Sequence, residues 1–385
     1  MLHDLIIVGA GPVGATLALS LREADLDVVV LDARPAGTPS KSDRSLALSH
    51  GARLIFERLG VWSHLASTGS AVTPITSVDI SQAGGFGMTR LTASEQDLPA
   101  LGYVVSYRAL QASLDAALAR ANIAVRFGAA AKEVGGTATY AAVTLQDAAA
   151  ESLTARLCVV ADGSGAVVAG VRRERRDYGQ VALTARIGLA HSHQGRAFER
   201  FTGAGPMALL PEGDHYGLVW TMTPARAECI LALSDDEFLR SLAVHFGSCV
   251  AGLVDVADRR TFPLALEVAR PIVGARVAMI GNAAQALHPV AGQGFNLGLR
   301  DAHELAQAVI DSQRDAIGTR PMLAAYARGR APDRLAGIAF THGLVQLFGT
   351  DAPFVRWPRG LALTLLDAMP AAKRAFTRAM LFGVR

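Results

Sequence analysis

The chain has 385 residues, 51% hydrophobic and 18% charged, a balance that buries a core and excludes a disordered chain. The formal net charge is +3, with no long Lys/Arg tract, which argues against nucleic-acid binding. Three widely spaced cysteines, Cys158, Cys229 and Cys249, give no metal or disulfide framework and suit a reducing cytoplasm.

At the N-terminus, Leu5 to Val8 is a short apolar run of the kind buried in a parallel sheet, without the basic and apolar regions of a signal peptide. Gly9 to Gly14 is a glycine-rich turn, Ala15 to Ala24 a helix, and Asp27 to Leu31 a second strand ending at Asp32. This is a βαβ unit. Further along, Ser49 to Leu65 and Tyr107 to Ala121 have helical patterns. Strands are expected within 72–88, about a turn at Gly84 to Gly87, and at Ile123 to Phe127, Ala141 to Leu145 and Ala155 to Val160. From Tyr178 to Leu266 short strands alternate with turns, among them Ala182 to Leu189, Gly217 to Trp220 and Cys229 to Leu233, with one helix at Asp235 to Phe246. Val277 to Gly281 is another buried strand, Gly294 opens a long helix, and the rest is mostly helical. No apolar run is long enough to span a membrane.

The fold expected is α/β: a Rossmann-like domain with a β-rich insert and a helical C-terminus. The nucleotide domain is expected over 1–72, 100–176 and 270–325. The β-rich domain takes 73–99 and 177–269, and the helical region 326–385.

Three motifs carry chemistry. In Gly9-Ala10-Gly11-Pro12-Val13-Gly14 the glycines let the backbone approach a pyrophosphate, and the following helix N-terminus attracts its charge. Asp32 suits a ribose, with Ala33 and Arg34 beside it; this motif alone does not separate FAD from NAD. The similar Gly203 to Ala208 is followed by Pro211 and Gly213, so it is a turn and no second nucleotide fingerprint. The second motif, Val159 to Gly163, delivers Asp162 from a strand into a turn at Gly163. The third runs from Met279 to Ala302. There Asn282 ends a strand and suits a polyol, and a Pro- and Gly-rich loop leads to a helix whose N-terminus suits an electron-rich ring.

In this order the motifs resemble the flavoprotein aromatic hydroxylases of 4-hydroxybenzoate hydroxylase-like fold, and within them the ubiquinone-biosynthesis monooxygenases. Gly281-Asn282-Ala283-Ala284-Gln285, and Gly195 to Thr202 with Gly205-Pro206 and Leu210-Pro211, are similar to the 2-polyprenyl-6-methoxyphenol hydroxylase branch. The resemblance implies FAD as cofactor, with NAD(P)H as reductant and no metal. It places Gly9, Gly11 and Gly14 at the pyrophosphate, Asp32 at the ribose, and Arg44 and Arg108 beside the flavin. Ala131 would meet adenine, Asp162 would serve both FAD and NAD(P)H, Asn282 would bind the ribityl chain, and Gly292, Gly294, Phe295 and Asn296 would border the isoalloxazine, with Pro289 a further cofactor-binding residue. The implied reaction is hydroxylation of a polyprenylated phenol by O2; a small soluble aromatic substrate and a scaffold subunit with FAD but little activity are the rival readings.

Two departures stand out: Asn282 replaces a common aspartate, and no arginine follows Asp162-Gly163. His288 is read as shaping its loop before serving as acid or base. Tyr216, Trp220 and Pro289 are the substrate candidates. Arg172, Arg173, Arg175 and Arg176 are read as a solvated surface. The apolar stretch Ala362 to Phe382 is read as core packing, with peripheral contact to an inner membrane as the alternative, and the resemblance allows a multiprotein ubiquinone-biosynthesis complex.

Overall fold

The computed structural model describes residues 2–39, 44–68, 72–146, 151–163, 166–250, 252–288, 292–348 and 353–384. Pro289 lies outside them. Among the described residues the strands form three sheets.

The first sheet is organised about Leu2–Val8, which pairs in parallel with Ser152–Val160 on one side and Val28–Asp32 on the other. Ala124–Phe127 extends it in parallel, as does Val277–Met279 beside Ser152–Val160. An antiparallel meander of Ala131–Gly136, Ala141–Leu145 and Ser152–Val160 completes it. Residues 5–8 are apolar without interruption because both faces are covered. Leu5 and Ile7 join the core under helices Pro12–Ser20, Tyr107–Arg120 and Gln293–Ile310, and Ile6 and Val8 join the core of the other face. The parallel strands end together, which brings Gly9, Asp32 and Asp162 to one edge, where an open α/β sheet binds ligands.

The second sheet runs, in spatial order, Gln285–Ala286, Leu253–Arg270, Arg172–Leu189, His215–Met222, Gly205–Glu212, Arg196–Thr202, Ser77–Gln82 and Met88–Thr92. Its two long strands, Arg172–Leu189 and Leu253–Arg270, run through the boundaries expected at 176 and 269. The helix Asp235–Phe246 packs on one face, started by a capping box in which Ser234 and Glu237 satisfy each other's backbone N–H groups. The third sheet, Ser45–Ser49, Gly102–Ser106 and Val72–Ile75, bridges the other two.

The C-terminus forms Arg320–Phe348, Pro353–Ala368 and Pro370–Phe382. Cys229 to Leu233, expected as a strand, belongs mostly to the helix Pro224–Leu231, since a short apolar run fits either element. The helical pattern over 49–65 is two helices, His50–Arg58 and Trp62–Ser67, parted at Gly60. Arg172 to Arg176 open a strand, where Arg173 donates to the Ala283 carbonyl (3.1 Å) and Arg175 faces Glu267 (3.8 Å). No described helix is long and apolar enough to cross a membrane.

Candidate active site

Two cavities meet at one short segment. A cleft of about 340 Å³ opens at the edge of the first sheet, lined by Gly9, Gly11, Pro12, Val13, Asp32, Ala33, Arg34, Arg44, Asp162, Gly163, Asn282, Gly294 and Phe295 from the sequence-derived set. A second, strongly apolar cavity of about 380 Å³ lies between the second sheet and the C-terminal helices. Gly292 and Asn296 line this second cavity, although they share a helix start with Gly294 and Phe295.

The local chain explains the cleft. Helix Pro12–Ser20 starts with Gly11 at its N-cap and Pro12 in its first turn, where a missing N–H costs nothing. Gly14 is forced by packing, because a Cβ there would stand 1.9 Å from the Gly9 carbonyl oxygen. Asp32 accepts from the N–H groups of Ala10 (2.9 Å) and Arg34 (2.7 Å). The Arg34 guanidinium is held between Asp32 and Asp115, each at 3.2 Å. At the opposite wall Gly292, with φ +59°, turns the chain into the helix Gln293–Ile310. Asn296 then pins strand Ser45–Ser49: it accepts from the Ser49 N–H (2.8 Å) and donates to the carbonyls of Ala47 (3.1 Å) and Gly292 (2.9 Å).

The residues fit a dinucleotide. Asp162 uses one carboxylate oxygen to accept from the Ala166 N–H (2.6 Å), while the other is buried without a partner among the described residues. A buried acceptor of that kind at a cleft wall is one that a ligand hydroxyl satisfies. Nothing stands within 4 Å of a Cβ built on Gly11, so the space above that turn is open.

Some expectations need correction. Arg108 is exposed and does not line the cleft; Tyr107 and Gln111 line it instead. Those two lie one helical turn apart on one face of Tyr107–Arg120, and Arg108 is rotated away from it. Tyr107 stacks under the Arg44 guanidinium at 4.9 Å, and Gln111 donates to the Ala10 carbonyl (2.9 Å). Ala131 is buried in the meander core and does not line the cleft. Ala10 and Gly14 are buried in the wall behind it.

Tyr216 and Trp220 also miss the substrate cavity. Side chains alternate along His215–Met222, and these two point to the core under helix Asp235–Phe246, while Val219 points into the cavity. The Tyr216 hydroxyl donates to the Arg196 carbonyl at 3.0 Å. His288 is buried, its ring edge against Tyr178 (centroids 5.6 Å apart), and burial pushes its pKa down to about 4. It is therefore neutral at physiological pH, so it does not act as a cationic acid there.

Gln285 does not reach the cleft. It donates to Asp301 (2.7 Å) and accepts from Arg334 (2.7 Å). The fully buried Arg330 also donates to Asp301 (2.9 Å), so this network fixes the base of the 281–286 turn.

Sequence reasoning gave no role to Glu199. It lies in the middle of Arg196–Thr202, lines the apolar cavity, and burial pushes its pKa up to about 8. It does lie within the run Gly195 to Thr202 that resembles the methoxyphenol hydroxylase branch, as an acidic residue between Phe198 and Phe201.

Comparisons with known proteins show the family. The family model for the FAD binding domain matches residues 3–335. The ubiquinone hydroxylase UbiL of Rhodospirillum rubrum is 33% identical over 389 residues, covering 97% of this chain and 88% of that protein. The 3-demethoxyubiquinol 3-hydroxylase of Escherichia coli is 28% identical over 382 residues, covering 96% of each. Among solved structures, the p-nitrophenol 4-monooxygenase PnpA of Pseudomonas putida has a TM-score of 0.78 at 18% identity, covering 100% of this chain and 99% of that one. At that identity the likeness is one of fold, the mixed α/β architecture with a helical C-terminus described above. The chain belongs to the FAD-binding family of flavin-dependent aromatic monooxygenases that includes the ubiquinone hydroxylases.

Proposed function

We propose that the chain hydroxylates the aromatic ring of a polyprenylated phenol in ubiquinone biosynthesis, with FAD as cofactor, NAD(P)H as reductant and O2 as oxygen source. One observation carries the reading: a single five-residue segment, 292–296, walls both the dinucleotide cleft, through Gly294 and Phe295, and a wholly different, apolar cavity, through Gly292, Gln293 and Asn296. The relatives named as ubiquinone hydroxylases support the choice of substrate class.

Each wall of the site has a task in this reading. Gly9, Gly11, Pro12 and Val13 hold the pyrophosphate, Asp32 the ribose, and Asp162 with Asn282 the ribityl chain. Reduced FAD supplies the activation of O2, the hard step that the cofactor carries. The chain orients the ring and excludes water. Ile80, Leu210, Leu344, Leu363 and Met380 make a lining that suits a ring with an isoprenoid tail. In this division of labour the first sheet serves the cofactor, and the second sheet with the C-terminal helices serves the substrate.

The test is turnover of purified, FAD-loaded protein with NAD(P)H, O2 and 2-geranyl-6-methoxyphenol. The expected result is a product heavier by one oxygen, with NAD(P)H oxidation stimulated by the phenol. Equal or greater stimulation by small soluble phenols such as 4-hydroxybenzoate would overturn the substrate class.

A further inference from the structure

We propose that Glu199 is a catalytic acid–base residue of the apolar cavity, taking the proton of the substrate's phenol hydroxyl as the ring is hydroxylated. The proposal rests on the phenol reading above.

The sheet isolates this carboxyl. Glu199 pairs with Ile80 on one side and Ala208 on the other, and Ala208 pairs with Val219. All four line the cavity, so one acid stands in an apolar row. Among the described residues no hydrogen bond or ion pair reaches the Glu199 side chain. Its strand neighbours Arg196 and Arg200 are engaged elsewhere: Arg196 binds Asp79, and Arg200 donates to the His245 carbonyl and to Ser81 (3.0 Å). The other charged group of the lining, Arg359, donates to the Leu347 carbonyl at 2.9 Å. Ser49, Gln293, Asn296 and Thr377, the remaining polar lining, do not titrate.

A half-buried acid without a partner in an apolar lining is costly, and proteins retain such groups mainly where they perform work. Burial is the sole cause acting on Glu199, and it brings the group close to neutrality. That is where an acid–base catalyst is most effective. The chemistry balances on the substrate. The phenol O–H bond breaks and its proton passes to the ionised carboxylate. The oxygen electron pair moves into the ring as the ring carbon bonds one oxygen of the O2 that NAD(P)H would reduce through bound FAD; the O–O bond breaks with its electron pair on the other oxygen, which takes up protons and ends as water. When the ring regains aromaticity, its C–H proton leaves to solvent and Glu199 returns its own to the phenolic oxygen.

The test compares the wild type with Glu199→Gln and Glu199→Asp, all loaded with FAD, using 2-geranyl-6-methoxyphenol. For the wild type, kcat/KM should rise with pH to a half-point near 8. Glu199→Gln should lose about 10²-fold or more at pH 7.5. Its remaining activity should rise only where a free phenol ionises, near pH ~10. Glu199→Asp should retain the limb with reduced rate, and FAD content should match throughout. Infrared difference spectra provide a readout without turnover: the protonated carboxyl band assigned by its loss in Glu199→Gln should shift when the phenol binds. A Glu199→Gln enzyme with wild-type rate and pH profile overturns the proposal and leaves the hydroxylase reading intact. So does a carboxyl band indifferent to bound phenol. If the band shifts but no oxygenated product forms in the wild type, the hydroxylase reading fails and the catalytic role of Glu199 falls with it, leaving only contact between the carboxyl and the phenol.

Discussion

Phe295 and Asn296 are adjacent in the chain and face different cavities, Phe295 the dinucleotide cleft and Asn296 the apolar one. Successive residues on a helix are about 100° apart, so one helix start serves as a wall for both. The Asn296 side chain ties that wall to strand Ser45–Ser49 with three hydrogen bonds. Asn296→Ala should therefore lower stability by about 2–3 kcal/mol, since it leaves a buried N–H and two carbonyls unmet. It should also weaken both FAD retention and phenol binding. A denaturant melt, an FAD titration and the phenol KM check this, and an effect confined to one ligand would refute a shared wall.

The glycine fingerprint gives a sharper separation. Gly14→Ala places a methyl 1.9 Å from the Gly9 carbonyl oxygen, a backbone clash present without any ligand. It should cost about 2 kcal/mol or more in the FAD-free protein. Gly11→Ala meets nothing within 4 Å, so the FAD-free protein should melt within about 0.5 kcal/mol of wild type. Because Gly11 lines the cleft, the same substitution should weaken FAD binding by about tenfold or more, equivalent to ~1.4 kcal/mol. Equal FAD affinity in Gly11→Ala and wild type would place the pyrophosphate elsewhere.

What could be read from the residues was what local sequence encodes. The turn at 9–14, the strands leading into Asp32 and Asp162, and the helix after Gly292 each combine a glycine turn with an apolar run, and the structure brings them to one sheet edge. Side-chain direction was harder. Choosing Arg108 over Tyr107, or Trp220 over Val219, needs the phase of the element, which a one-residue offset reverses. The lining of the apolar cavity could not be read, because Leu48, Ile80, Leu210, Leu363 and Met380 come from distant parts of the chain. Glu199 acquires its raised pKa only from that assembly.

The parity of His215–Met222 is testable with adjacent residues. Val219→Trp projects into the cavity and should raise the phenol KM about tenfold with FAD content unchanged. Trp220→Phe lies on the other face, against Phe238 and His245, and should leave the KM within about twofold. Its cost is one of packing, about 1 kcal/mol in a melt. The opposite pattern would mean that the strand is shifted by one residue.

Glu199 also makes a prediction about stability that needs no substrate. Its carboxyl titrates near 4.5 when exposed in the unfolded chain and near 8 in the folded one. Between those values the folded chain binds more protons than the unfolded chain. Stability contributed by this group is therefore complete below the lower value and is lost as pH rises toward 8, by up to about 1.4 kcal/mol per pH unit. Glu199→Gln removes the titration and keeps the shape. The difference in unfolding free energy between Glu199→Gln and wild type should grow from pH 5.5 to pH 8 and level off above it, in favour of the glutamine. Denaturant melts across that range decide it; parallel pH profiles for the two proteins would mean that the carboxyl is already ionised in the fold.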